Sequence, residues 1–262
     1  MVKLIPSELR EHDFSAADFL SAGQQEAYER ACEQFSGKAR DNLKVGREGS
    51  NLFKVLLLNQ TGIRTATLPE LELALENGLD LRGTYEDGRE VVLRNKKDSY
   101  GPNNLLIRVL SKELDLGKIR KPLIITGLRV NENLDSEYGL VLMPSDETKV
   151  VEAPDFADAN DGRKFRRINP NYSIDFDERG KRILYTRHGG LSGLFLVRDL
   201  VLYSNNGGLS DSNDSGRVVV VSGEADEKRL ALYLDILRQQ REELDRQTDE
   251  RFTRAQAILR GE

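Results

Sequence analysis

The sequence has few of the residues that build covalent or metal-centred sites. Its 262 residues include one cysteine, two histidines and no tryptophan. The single cysteine, Cys32, excludes an intramolecular disulfide framework and a cysteine-based zinc site. His12 and His188 are too few for a multi-histidine metal centre. The sequence therefore predicts no cofactor.

Long apolar stretches are absent as well. No run approaches the roughly 18 apolar residues that a membrane-spanning helix needs. The first residues, MVKLIPSELREHD, become polar too early for the apolar segment of a secretory signal. We therefore expect a cytoplasmic protein with no membrane partner.

Charge is abundant, and the two signs are nearly balanced. There are 39 basic and 44 acidic side chains, for a net charge of −5, and charged residues make up 32% of the chain. The excess of acidic residues argues against bulk binding to nucleic acid or anionic membranes, although a local basic patch could still bind them. The high charged fraction indicates a large solvated surface or long exposed helices.

The residue patterns predict an α+β fold in three parts. We expect a helical N-terminal segment over residues 1–45 and an α+β core over residues 46–223. As an alternative, a domain boundary near residues 117–122 would divide this core in two. A long charged C-terminal α-helix is expected over residues 224–262, partly packed and partly resembling a coiled coil. The sheet is expected mainly in the C-terminal half and to be mostly antiparallel or mixed.

Individual elements follow from local signals. The mostly apolar segment Leu52–Leu58 is predicted to be a buried strand, and Thr67–Pro69–Glu70 is typical of a helix start. The segment Pro102–Leu114 has helical spacing of its leucines. Strands at Ser173–Phe176 and Ile183–Thr186 flank the turn sequence DERG, so we expect them to pair as a hairpin.

The most regular periodicity lies near the C-terminus. Apolar residues recur there at intervals of three and four, the spacing of a coiled-coil seam. This pattern predicts an interaction or assembly protein that binds a protein partner, or a second copy of itself, through one helix face: Leu230, Leu234, Leu237, Leu244, Phe252 and Leu259.

A second hypothesis is an enzyme, either a hydrolase or a transferase, with its site at the 186–192 turn and the 204–216 loop. His188 beside glycines could act as a general base for a Ser192 nucleophile, with Asp199 as the third member. The nucleophile-elbow pattern is absent because Leu194 occupies its final glycine position. The same loop offers oxygen ligands for a hard cation at Asp211, Asn213 and Ser215, although Ser222 replaces the final glutamate of a calcium loop.

The third hypothesis is a binder of nucleic acid or nucleotide phosphate. Basic side chains cluster around Phe165, a pattern that can hold phosphates and stack bases: Arg163, Lys164, Arg166 and Arg167. A second basic cluster, at 94–97, contributes Lys96 and Lys97. From sequence alone, assembly is favoured over the enzyme hypothesis, and nucleic acid is the least favoured partner.

Overall fold

The fold consists of one large mixed β-sheet with short helices packed on it. The computed structural model describes residues 22–35, 37–38, 51–76, 85–197, 201–209, 216–217 and Arg246. Every described residue except Arg246 belongs to one unit of the chain, Leu4–Val221. The described helices are α1 (Ala22–Phe35), α2 (Asn51–Gln60), α3 (Leu68–Glu76) and α4 (Asn103–Glu113).

The strands form a single sheet. They are β1 (Tyr85–Leu93), β2 (Leu123–Glu132), β3 (Leu140–Glu152), β4 (Lys164–Ile168), β5 (Ile174–Phe176), β6 (Arg182–Tyr185), β7 (Leu191–Val197), β8 (Val201–Tyr203) and β9 (Gly216–Arg217). Their order is β3-β2-β1-β7-β8-β6-β4-β5, and β9 pairs with β1. The β6–β8 and β1–β9 pairs are parallel and the other pairs are antiparallel.

Alternation along the strands gives the sheet two apolar faces. Val91, Leu93 and Leu191 share one face, and they join α1, α2 and α4 in one hydrophobic cluster. Side chains of the opposite parity are also fully buried, including Val92, Ile124, Leu184, Leu196 and Leu202. Because successive side chains in a strand point to opposite faces, this sheet is covered on both sides over much of its area.

The start of α3 shows why its sequence forms a helix. The backbone N–H of Thr67 donates to Oε2 of Glu70 at 2.9 Å, and the N–H of Glu70 donates to Oγ1 of Thr67 at 3.4 Å. This reciprocal arrangement is a capping box, which satisfies two N–H groups that the first helical turn leaves unpaired. The helix start predicted at Thr67–Glu70 is confirmed, and α4 confirms the helix predicted over Pro102–Leu114.

The predicted fold class is wrong. The described residues form mainly a sheet, and that sheet begins with β1 at Tyr85 and is not confined to the C-terminal half. The helices in the described part are short, and the longest of them, α1, has 14 residues. The predicted long C-terminal helix is not among these elements, because residues 224–262 lie, apart from Arg246, outside the described residues.

Two local predictions are wrong for identifiable reasons. Leu52–Leu58 lies within α2, where all seven residues, including Lys54, are buried, so this mostly apolar segment reflects helix burial on several sides. The expected hairpin of β5 with β6 does not form, because β4 lies between them and pairs antiparallel with each. The division into domains stays a prediction.

Candidate functional site

Two of the residues predicted for catalysis, Ser192 and His188, do not meet. Ser192 is fully buried on β7, where its Oγ accepts a hydrogen bond from Nη1 of Arg94 and donates to the carbonyl of Ser204, both at 3.0 Å. The His188 side chain is 93% exposed, and its Nδ1 lies 3.5 Å from Oδ2 of Asp158. A buried hydroxyl and an exposed imidazole cannot form a nucleophile–base pair. Asp199 lies outside the described residues.

Ser192 instead helps to bind the buried side chain of Arg94. The Arg94 guanidinium is buried and donates to the carbonyls of Phe156 and Ser204 and to the hydroxyls of Thr186, Ser192 and Ser204. These acceptors follow or belong to different strands, so one side chain joins the ends of β1, β6, β7 and β8. Burial, with a smaller contribution from nearby Arg187, lowers the pKa of Arg94 to about 9, which leaves it charged at neutral pH.

A second network lies beside Arg94. Oδ2 of Asp98 accepts hydrogen bonds from Nδ2 of Asn103 and the N–H of Leu191, both at 2.9 Å, and Oδ1 accepts from Nη2 of Arg187 at 2.6 Å. Asn103 Nδ2 also donates to the carbonyl of Gly207 at 2.7 Å. The 186–192 turn and the first part of the 204–216 loop therefore do meet, but through buried bonds that hold the loops in place.

The 94–97 cluster does not act as one surface. Arg94 is buried, Nζ of Lys96 donates to the carbonyl of Leu116, and Lys97 is exposed. The 163–167 run begins immediately before β4, which β7, β8 and β6 separate from β1 in the sheet. None of the contacts in the described ranges joins the two clusters.

The basic side chains of the 163–167 run are exposed and partly paired, whereas Phe165 among them is buried. Arg163 lies with its guanidinium carbon 3.8 Å from the centroid of the Phe176 ring, Arg166 pairs with Asp177, and Arg167 pairs with Asp175 at 2.8 Å. A hydrogen bond from Asn169 and then the bond from Arg167 hold the pKa of Asp175 below its usual range. The N–H of Arg179 does the same for Asp177, assisted by Arg166.

Lys164 differs from its neighbours. It is exposed, and within the part of the chain that the structure describes no carboxylate lies within ion-pair distance of it. It lies directly opposite Ile183 of β6, two residues before Tyr185. Paired residues of neighbouring strands point to the same face, so Lys164, Ile183 and Tyr185 lie on one face of the sheet.

An aromatic row crosses the same face. Tyr185 pairs with Tyr203 of β8 at a ring-centroid distance of 5.0 Å, and Tyr203 pairs with Phe195 of β7 at 5.5 Å with nearly parallel rings. Both tyrosines are half-buried, whereas Leu184, Leu196 and Leu202 on the opposite face are fully buried. We call Lys164, Ile183, Tyr185, Tyr203 and Phe195 the tyrosine face.

Sequence reasoning missed the tyrosine face. Tyr185 falls in the strand predicted at Ile183–Thr186, but Tyr203 is 18 positions further along the chain, and the two belong together only because β6 pairs with β8. The signal available in the sequence was the presence of aromatic residues at the ends of strands. Without the strand order it could not show which aromatic residues were neighbours.

Several predicted site residues cannot be placed. The partner-helix residues Leu230, Leu234, Leu237, Leu244, Phe252 and Leu259 lie outside the described residues, as do Asp211, Asn213 and Ser215. Within the described ranges, no three His, Cys, Asp or Glu side chains are grouped so as to hold a metal ion. Among the helices that the structure describes, none combines the length and apolar character that crossing a membrane requires.

Comparison with known proteins finds no matching protein family, no similar curated protein and no similar solved structure.

Proposed function

We propose that this protein binds single-stranded nucleic acid on the tyrosine face. In this proposal one base stacks on the side of the Tyr185 ring that faces away from Tyr203, and Lys164 contacts a neighbouring phosphate. Stacking on an aromatic side chain contributes about 1–3 kcal/mol per base, and it tolerates any base because every base has a π face.

The observation that carries this proposal is the position of Lys164 relative to Tyr185. The two residues are diagonal neighbours on paired strands, an arrangement that puts their Cα atoms about 7–8 Å apart and within reach of long side chains. Among the described residues, the only ring that Tyr185 contacts is that of Tyr203, so one side of the aromatic row ends at Tyr185. A base stacked there would extend the row toward the lysine.

The local charge also supports a polyanionic ligand. Residues 163–182 contain seven basic and three acidic side chains in a chain of net charge −5. Arg182 is not available, because it is buried against Glu72 and lies over the Phe165 ring. The exposed cations of this segment include Lys164, Arg179 and Lys181. A local basic surface on an acidic protein favours a specific anionic partner over general adhesion to polyanions.

The other two hypotheses have less support. The candidate nucleophile of the enzyme hypothesis, Ser192, has its hydroxyl buried in the Arg94 network. The assembly hypothesis depends on residues 224–262 and stays a prediction from sequence. We also propose that the protein resides in the cytoplasm, which likewise stays a prediction from sequence.

Fluorescence anisotropy with a labelled oligothymidine of about 12 nucleotides tests the proposed function. We expect salt-sensitive binding that Tyr185→Leu weakens by about 1–3 kcal/mol, because leucine keeps apolar bulk but cannot stack a base. Tyr100→Leu is the matched control, since Tyr100 is 37% exposed in the loop after β1. Equal affinity for a duplex, or equal weakening by both substitutions, would show that the tyrosine face does not select unpaired bases.

A further inference from the structure

Glu90 on β1 connects separate parts of the fold through one buried carboxylate. Its Oε1 accepts a hydrogen bond from the backbone N–H of Leu68, at the start of α3, at 2.7 Å. The same oxygen accepts from the hydroxyl of Tyr172, in the connection between β4 and β5, at 2.9 Å. One oxygen atom therefore holds both α3 and the 169–173 connection against β1.

The second oxygen of Glu90 has no such partners. Glu90 is fully buried, and its Oε2 makes no hydrogen bond to any residue in the described part of the chain. Leu68 and Gly88 lie beside this oxygen: a Cβ added to Gly88 would lie 2.1 Å from it and 2.2 Å from Cδ2 of Leu68. Burial without a partner for this oxygen disfavours the ionised form of the carboxyl relative to its protonated form.

Tyr172 is held in an unfavourable backbone conformation. Its φ is +65°, in the left-handed region that residues other than glycine seldom adopt. The N–H of Tyr172 donates to the carbonyl of Asn169 at 2.8 Å, which closes a tight turn. The bond to Glu90 is thus one of the contacts that maintain a strained connection, and losing it favours opening.

We propose that Glu90 is a pH-sensitive latch that closes the 169–173 connection over β1 and α3 when it is protonated and releases it when it is ionised. Among the described residues, the charged groups that act on Glu90 and Tyr172 are few. Arg89 is the neighbour of Glu90 on its own strand, and α3 contributes Glu70, which acts on Tyr172. The 169–173 connection contributes the Tyr172 hydroxyl.

The direction of the effect follows from proton binding. Burial is the largest cause that raises the pKa of Glu90, from its ordinary 4.5 to about 7, while the bonds from Leu68 and Tyr172 and the charge of Arg89 oppose the rise. In the open form the carboxyl meets water, and its pKa returns toward 4.5. The closed form therefore holds the proton more tightly, and closure is fully favoured at acid pH and lost as the pH rises through about 7.

Hydrogen–deuterium exchange tests the latch on the full chain between pH 6 and pH 8.5, after correction for the intrinsic pH dependence of exchange. With pKa values of about 7 closed and 4.5 open, linkage gives an opening constant for residues 169–176 that rises about tenfold from pH 6 to pH 8. Exchange in α4 serves as an internal reference and should not follow this transition.

Two variants distinguish the ionisation of Glu90 from other causes of pH-dependent exchange. Glu90→Gln keeps an acceptor for Leu68 and Tyr172 but cannot ionise, so it should abolish the tenfold change. Glu70→Gln removes a neighbouring carboxylate and should leave the change in place. If Glu90→Gln does not fold, the wild-type measurement still decides, because constant protection of residues 169–176 from pH 6 to pH 8.5 overturns the proposal. A transition that persists in Glu90→Gln overturns it as well.

Discussion

Tyr185 and Tyr203 occupy paired positions on two parallel strands, and their ring centroids lie 5.0 Å apart. Phe195 extends the row on the next strand, and Lys164 lies diagonally beyond Tyr185 on the other side. This order places the exposed Lys164 at the end of an aromatic row in which Tyr185 and Tyr203 are half-buried and Phe195 is buried. It is the geometry on which the proposed binding of single-stranded nucleic acid depends.

Replacing Lys164 should change the salt dependence of binding. Lys164→Gln removes one phosphate contact, so the slope of log affinity against log salt should become shallower by about 0.7. Lys149→Gln is the control, because Lys149 is exposed on β3, at the opposite edge of the sheet. Anisotropy titrations at several salt concentrations measure both slopes. An unchanged slope for Lys164→Gln would mean that this lysine contacts no phosphate.

Ser192 should matter for stability and not for chemistry. Ser192→Ala removes an acceptor from the buried Arg94 guanidinium and should lower the free energy of unfolding by about 1–3 kcal/mol. His188→Ala should change it by less than about 0.5 kcal/mol, because that side chain is almost fully exposed. Urea denaturation compares the two variants. A Ser192→Ala variant as stable as the wild type would contradict a structural role.

The buried pair of Arg182 and Glu72 gives a larger expected loss. The two side chains are 10% and 7% exposed, and Arg182 also lies over the Phe165 ring. Arg182→Met leaves the Glu72 carboxylate buried without this partner and should cost about 3–5 kcal/mol of unfolding free energy. Arg179→Met, at an exposed position three residues earlier, provides the comparison. Similar denaturation midpoints for the two variants would rule out a stabilising pair.

Gly88 is expected to tolerate no side chain. Because an added Cβ would overlap both Leu68 and the Glu90 carboxylate, Gly88→Ala should lower the melting temperature and disturb the contact between α3 and β1. At Gly117 no atom lies within 4 Å of an added Cβ, so Gly117→Ala should have almost no effect. Thermal denaturation followed by circular dichroism distinguishes them, and equal melting temperatures would contradict the packing around Gly88.

Local signals in the sequence identify some elements well and others ambiguously. The Thr67–Glu70 capping box and the leucine spacing of α4 are complete within a few residues, so both helices could be predicted. Leu52–Leu58 could not be assigned, because a short, mostly apolar segment fits a buried strand as well as a buried helix. The position of β4 between β5 and β6 depends on pairing across the chain, and no local pattern specifies it.

Because strand pairing depends on contacts between distant residues, only part of the candidate site could be predicted from the sequence. The basic run at 163–167 is visible in the sequence, and the side chains of Arg163, Lys164, Arg166 and Arg167 are exposed in the structure. Its relation to Tyr185 depends on the register of β4 against β6, which needs the folded sheet. The burial of Arg94 and Ser192 also depends on contacts between residues 98 positions apart.

Photo-crosslinking tests the central claim most directly. A single-stranded oligonucleotide containing 5-bromodeoxyuridine is irradiated with the full-length protein, and the crosslinked tryptic peptides are identified by mass spectrometry. A base stacked on Tyr185 predicts a nucleotide adduct on Ile183–Arg187, the peptide released by cleavage after Arg182, and competition by unlabelled single strands but not by duplex. Crosslinks confined to other peptides, with none on Ile183–Arg187, would contradict the proposal that the tyrosine face binds the nucleic acid.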